Sequence, residues 1–342
     1  MRILSRKVKF NLNPFLLGMG AAIVLAFFFP LENTIIRSFP IEKIVSIGIA
    51  LILFFYGVKL SPEKLKAGLQ NWKLHTLIQL STFILFPLLV LGFLPLVNGG
   101  QARLIWTGIF FLAVLPSTVS SSVVMVSMAK GNIPSAIFNA SISGLIGIFI
   151  TPLWLGPLMN NEPGGFDLSE LYLQLVVEIV IPVFLGMSLQ KWFGKYAQRY
   201  ASLLSTFDKS IILLIIYNSF SHSFSSNLFD GMAWNDLFLI LGSVLILFGF
   251  VYSLIGVCSR WLKFSKEDQI TAQFCGTKKS LVHGTVFFNL IFQGTAGGGV
   301  ILIPLMLFHA LQIILISYKA TNLAETNSVK TKKSRQVIYP FV

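Results

Sequence analysis

The stretch ITAQFCGTKKSLVHGTVFFNLIF, residues 270–292, carries two adjacent lysines, Lys278 and Lys279, in what is otherwise an apolar run of bilayer length. It contains no carboxylate that could neutralise them. A lysine at mid-bilayer costs roughly 3 kcal/mol on insertion scales, so such residues face a protein interior or a wet cavity. Lys278 lies ten positions beyond Asp268, about 15 Å along a helix and roughly half of a 30 Å hydrocarbon core. That distance defeats simple snorkelling to the interface. The pair is the leading functional candidate, and the question it poses is which anion, ion or dipole meets it.

The rest of the chain supplies the setting. Of its 342 residues, 55% are hydrophobic and only 11% charged, against about 25% charged in a soluble domain. Repeated apolar runs therefore predict an all-α polytopic membrane protein with no room for a soluble domain. The net charge of +13 does not imply a nucleic-acid partner, because the basic residues cluster in short segments between apolar runs, as membrane orientation requires. Cys258 and Cys275 fall in or beside spans, so no disulfide framework is implied. The basic start MRILSRKVKF precedes the run Phe15–Pro30, which lacks a small-residue cleavage site and reads as a retained first helix. An enzyme is disfavoured, since no nucleophile with a positioned base and no metal-spaced cluster is found. The glycine-rich turn at 293–299 lacks the Gly-Lys-Ser/Thr ending of a phosphate loop. No cofactor is expected.

Apolar windows place ten spans at about 14–30, 41–58, 74–96, 104–129, 133–154, 169–189, 210–226, 236–257, 269–291 and 298–318. With the N-terminus inside, the outer segments hold only Arg37, Lys43 and Arg103, while the other basic residues outside the ninth span fall on the cytoplasmic side. This bias predicts cytoplasmic N- and C-termini. Ten spans divide into five and five, so the second half enters the membrane upside down, as inverted repeats do. Matching features recur five spans apart: Pro116–Ser122 in the fourth span and Gly276–Ser280 in the ninth, both small, polar and helix-weakening. Discontinuous helices of this kind offer helix ends and backbone groups to a ligand at the midplane. Gly131, in the turn after the fourth span, is expected to take a positive φ, and the tail from about Thr321 is expected to be unordered and basic. Contact of that tail with anionic lipid head groups is the less favoured alternative to solvation.

Three stretches carry a resemblance: FFYGVKLSPEKLKAGLQNWKLH (54–75), LPSTVSSSVVMVSMAKGNIPSAIFNASISGLIGIFITPLWL (115–155) and FCGTKKSLVHG (274–284). In these the chain resembles the bile acid:sodium symporter superfamily, in the divergent branch that includes the seventh member of the vertebrate bile-acid carrier group. The resemblance implies core and panel domains that move against each other, with broken helices 4 and 9 crossing in the core. On this chain those are panel segments 14–58 and 169–226, core segments 74–154 and 236–318, and a basic cytoplasmic tail at 319–342. It also implies ion-site positions at Thr82, Ser121, Ser122 and Asn139. The position of the family's bridging glutamate falls at about Phe274 and that of a glutamine ligand at Lys278. An ammonium has no lone pair to offer sodium, so the two-sodium scheme does not transfer unchanged.

Ser117, Gln273, Thr277 and Ser280 complete the candidate substrate- and ion-contacting set with Lys278 and Lys279. One lysine either serves transport directly or replaces a cation by bonding carbonyls and Ser121 or Ser122. Lys278 is the expected tethered cation, with Lys279 facing elsewhere because helix neighbours diverge by about 100°. Glu178, deep in the sixth span, could pair with a lysine, bind a proton or cation, or face a wet crevice. His283 is a candidate proton relay or a satisfied interhelical group. Asn218 and His222 read as packing or crevice-lining groups, and Ser141, Ser143, Gly144 and Gly147 as small-residue helix packing. Together these predict a secondary active transporter for a small organic anion in the plasma (inner) membrane, coupled to sodium or protons. The runner-up is a regulator of ion homeostasis, calcium included, although calcium sites need several oxygen ligands. Metal binding and oligomeric state are left open by the sequence.

Overall fold

A computed structural model describes residues 14–31, 40–60, 71–118, 120–159, 177, 180–225, 233–292 and 298–338. Glu178, most of the sixth predicted span before Ile181, the turn at 293–297 and the His222 side chain lie outside the described residues. The regular elements are α1 (Pro14–Phe28), α2 (Ile41–Lys59), α3 (Trp72–Leu80), α4 (Phe86–Leu91), α5 (Gly100–Val114), α6 (Ser120–Met128), α7 (Ile133–Met159), α8 (Ile181–Ser188), α9 (Gln190–Arg199), α10 (Ala201–Ser225), α11 (Trp234–Trp261), α12 (Lys266–Gly276), α13 (Leu281–Phe292) and α14 (Gly298–Ile338). No strand occurs among the described residues. Trp72–Leu96, Ile133–Pro157, Ala201–Ser221, Trp234–Trp261 and Gly298–Leu323 are each long and apolar enough to cross a bilayer. Leu17–Phe28 and Gly100–Val114 are shorter apolar helices.

The interruptions matter more than the helices. In the fourth predicted span, α5 stops at Val114 and Leu115 is extended, with ψ 151°, because a residue before proline is pushed out of the α region. In the ninth, α12 ends at Gly276 and α13 starts at Leu281. In the third, a π turn at Ser81–Leu85 joins α3 to α4, with Phe86 N–H bonding the Ser81 carbonyl. The cause is Pro87, which has no N–H to give.

The two interrupted spans are tied together at one end of the molecule. Asn132 caps α7 by accepting from Ser135 N–H at 3.1 Å and donates to Asp268 Oδ1 at 2.8 Å. Its own N–H donates to Thr271 Oγ1 at 2.8 Å. The turn after α6 therefore docks on the first turn of α12, itself capped by Ser265. Lys130, not Gly131, has the positive φ there, at 60°. Gly131 is needed for space instead: a Cβ would sit 2.8 Å from Val126 Cγ1 and 3.0 Å from Thr271 Oγ1. Lys263 takes the same left-handed position after α11, at φ 56°.

Elsewhere α2 and α8 cross backbone to backbone, since a Cβ on Gly57 would overlap the Val183 carbonyl and one on Gly186 the Phe54 carbonyl. The basic segment Gln190–Arg199, between the sixth and seventh predicted spans, is the helix α9, with Trp192, Phe193 and Tyr196 exposed and Gly194 and Ala197 turned inward. The segment from Thr321, expected to be unordered, continues α14 to Ile338; it contains no Pro or Gly to stop a helix.

Candidate functional site

The breaks at 115–118 and 277–280 meet, and each supplies what the other's helix ends lack. The Ser280 N–H donates to the Pro116 carbonyl at 2.8 Å. The Ser117 hydroxyl donates to the Cys275 carbonyl, at the C-terminus of α12, at 2.6 Å. In return the Lys279 ammonium donates to the Ala113 and Leu115 carbonyls, at the C-terminus of α5, at 2.6 and 2.8 Å. Its third donor goes to the Thr82 carbonyl at 2.8 Å.

The Thr82 carbonyl is available because of Pro87. With no N–H at residue 87, neither the α partner, Phe83 O, nor the π partner, Thr82 O, has its usual helical donor. The Trp154 indole takes the first at 2.9 Å and Lys279 the second. The Phe86 ring adds a cation–π contact, with its centroid 4.3 Å from the ammonium. An ammonium has three N–H donors, and here all three are used. Lys279 is a capping cation at a helix C-terminus, where the helix dipole favours positive charge.

The backbone of Lys279 is fixed as firmly. Gln312 on α14 accepts from its N–H and donates to its carbonyl, both at 2.8 Å. The matching position in the other break, Ser117 N–H, donates to Ser143 Oγ on α7 at 2.9 Å. Ser280 caps α13: its hydroxyl accepts from His283 N–H at 3.2 Å and pairs with His283 Nδ1 at 2.9 Å. His283 also stands edge-on to Tyr56, with ring centroids 5.2 Å apart.

Lys278 sits in a different environment. It is fully buried, yet its ammonium reaches only the Ser121 hydroxyl at 3.2 Å and the Met125 thioether at 3.1 Å. A thioether is a weak acceptor. Ser121 lies in the first turn of α6, so this ammonium is at a helix N-terminus, the positive end of the dipole. Among the described residues no carboxylate pairs with it, and no group of three or more His, Cys, Asp or Glu exists. Two neighbouring lysines thus occupy opposite electrostatic situations.

The expected tether is divided between the two lysines: Lys279 bonds the carbonyls and Lys278 the Ser121 hydroxyl. The Thr82 hydroxyl bonds its own helix at Ile78 O, and only its carbonyl enters the site. Ser121 and Ser122 share Thr118 Oγ1 at 3.0 and 2.7 Å. Gln273 donates to Tyr252 O and Thr277 to Gln273 O. Asn139 bonds His75, Gln79 and Ser135 rather than either lysine. Sequence reasoning missed Gln312 and Pro87 and took Ser143 for packing alone. A glutamine in the apolar run around Phe308–Ile314 was the legible clue to the first. Gly144 and Gly147 do serve close packing, against Tyr56 and Pro116.

An all-helical chain whose interrupted helices meet at buried lysines, and whose long helices are apolar enough to span a bilayer, is an integral membrane protein. The chain belongs to the SBF-like CPA transporter family, which matches residues 13–325. An uncharacterized protein of Pseudomonas aeruginosa is 34% identical over 316 residues, covering 92% of this chain and 94% of its own. YfeH of Escherichia coli is 34% identical over 309 residues, covering 90% and 92%. Sodium/bile acid cotransporter 7 of Rattus norvegicus is 27% identical over 321 residues, covering 92% of each.

Proposed function

We propose that this protein is a secondary active transporter of a small organic anion, and that Lys278 anchors the anion. One observation carries the reading: the Lys278 ammonium lies 3.2 Å from Ser121 Oγ in the first turn of α6, with no anion beside it among the described residues. A cation there gains nothing from the helix dipole, whereas an anion gains from both the ammonium and the positive end of that dipole. Lys279, with its donors filled, is the tethered cation that holds the crossing together in place of a bound metal ion.

The reading includes ten spans in two inverted five-helix repeats. It is supported by the paired bonding of the breaks, in which Ser117 and Lys279 each cap the other half's helix. The partners of their N–H groups, Ser143 and Gln312, lie on the fifth and tenth predicted spans. The core comprises 74–154 and 236–318, and moves against a panel of 14–58 and 169–226. Both termini are cytoplasmic and the membrane is the plasma (inner) membrane, following the lysine and arginine bias.

The test is a thermal-shift panel of small organic anions on purified protein, with and without sodium, repeated on Lys278→Gln. An anion that stabilises the parent and not the variant is expected. If every stabilising anion acts equally on both, Lys278 is not the anchor. Uptake into vesicles under an imposed sodium or proton gradient then identifies the coupling ion; indifference to both would sink symport.

A further inference from the structure

The structure also contains a groove of about 520 Å3, within the size range of small-molecule sites and apart from the lysines. Its walls include Leu89, Phe93, Trp106, Ile109, Ile246 and Phe250, drawn from the end of the third span, α5 and α11. Ser243 contributes a hydroxyl, and the Trp106 indole N–H is spent on the Val90 carbonyl at 3.1 Å. Phe93, Ile246 and Phe250 are exposed, so the groove opens on the surface that faces bilayer lipid. An apolar void of this size loses the dispersion contacts of its walls unless apolar matter fills it.

The groove itself is almost wholly apolar, and a positive charge borders it at Trp106. Ala102, on its wall, lies in the first turn of α5, whose N-terminus has no side-chain cap. Arg103 is exposed, and its guanidinium lies 5.5 Å from the Trp106 ring centroid. A helix N-terminus and an exposed guanidinium together suit a phosphate. The groove below them suits an alkyl chain.

We propose that this groove is a binding site for a bilayer phospholipid, with an acyl chain between α4, α5 and α11 and the phosphate at the start of α5. The occupant follows from the apposition of an apolar groove open to lipid and a guanidinium at its border. Helices α5 and α11 both border the groove, and α5 ends at the carbonyls held by Lys279, so the lipid would brace the helix that leads to the crossing.

The experiment is native mass spectrometry of the full chain, stripped of lipid in detergent and then given phosphatidylglycerol or diacylglycerol of the same acyl chains. The parent is expected to retain phosphatidylglycerol in preference to diacylglycerol. Arg103→Gln should lose about tenfold in that preference, the effect of one charge-assisted hydrogen bond, while still retaining diacylglycerol. Ala102→Trp, which fills the groove, should lose both lipids. Ile246→Trp fills it from α11 and replaces Ala102→Trp if that variant does not fold. Unchanged retention of both lipids by the filled variants, or no headgroup preference in the parent, overturns the proposal.

Discussion

Replacing Lys279 by Met should damage the fold, and replacing Lys278 by Met should not. At Lys279 the change removes three charge-assisted bonds of 2.6–2.8 Å, each worth about 1.5–3 kcal/mol. It also strands the Thr82, Ala113 and Leu115 carbonyls in a dry site. Against that, the variant no longer buries an ion, which returns several kcal/mol. The balance is the cost of breaking one side of a buried polar cluster, about 3–5 kcal/mol. At Lys278 the loss is one hydroxyl contact at 3.2 Å and one thioether contact, and the same desolvation is recovered. The expected change is within about 1 kcal/mol of zero, and stabilisation is allowed. Thermal unfolding of both variants in one detergent, followed by tryptophan fluorescence, measures the difference. Equal destabilisation, or a Lys278→Met protein that is the less stable of the two, would refute the division of labour between the lysines.

Gln312→Leu should cost about 2–4 kcal/mol, because it leaves the Lys279 N–H and C=O without partners, and should lower the melting temperature without touching either ammonium. Gly57→Leu should abolish the α2–α8 crossing, since its Cβ would overlap a backbone carbonyl that cannot yield; loss of the monodisperse peak in detergent gel filtration is the readout. Lys130→Gly should raise stability by roughly 0.5–1 kcal/mol, by relieving a left-handed residue at φ 60°. A melting temperature that falls in that variant would show that the Lys130 side chain stabilises more than its backbone costs.

The sequence by itself determined the solvent and the punctuation of this protein. Apolar run length is a local property, so helical membrane character is legible from residue order alone. Pro116 makes the fourth-span break readable because proline acts on its immediate neighbour, and Gly276–Ser280 marks the ninth by polarity. The recurrence of those features five spans apart is enough to pair the two breaks. What stays illegible is the identity of each lysine's partner. Helical phase says that Lys278 and Lys279 diverge, but not which one meets carbonyls. That depends on Pro87, nearly two hundred residues away, freeing the Thr82 carbonyl, and on Gln312 gripping the lysine backbone from α14. Main-chain carbonyls leave no trace in residue type, so a site built largely from them becomes visible only when the chain is folded. The tertiary structure turned an anomalous lysine pair into one cation that holds two helices together and one whose donors are not all used.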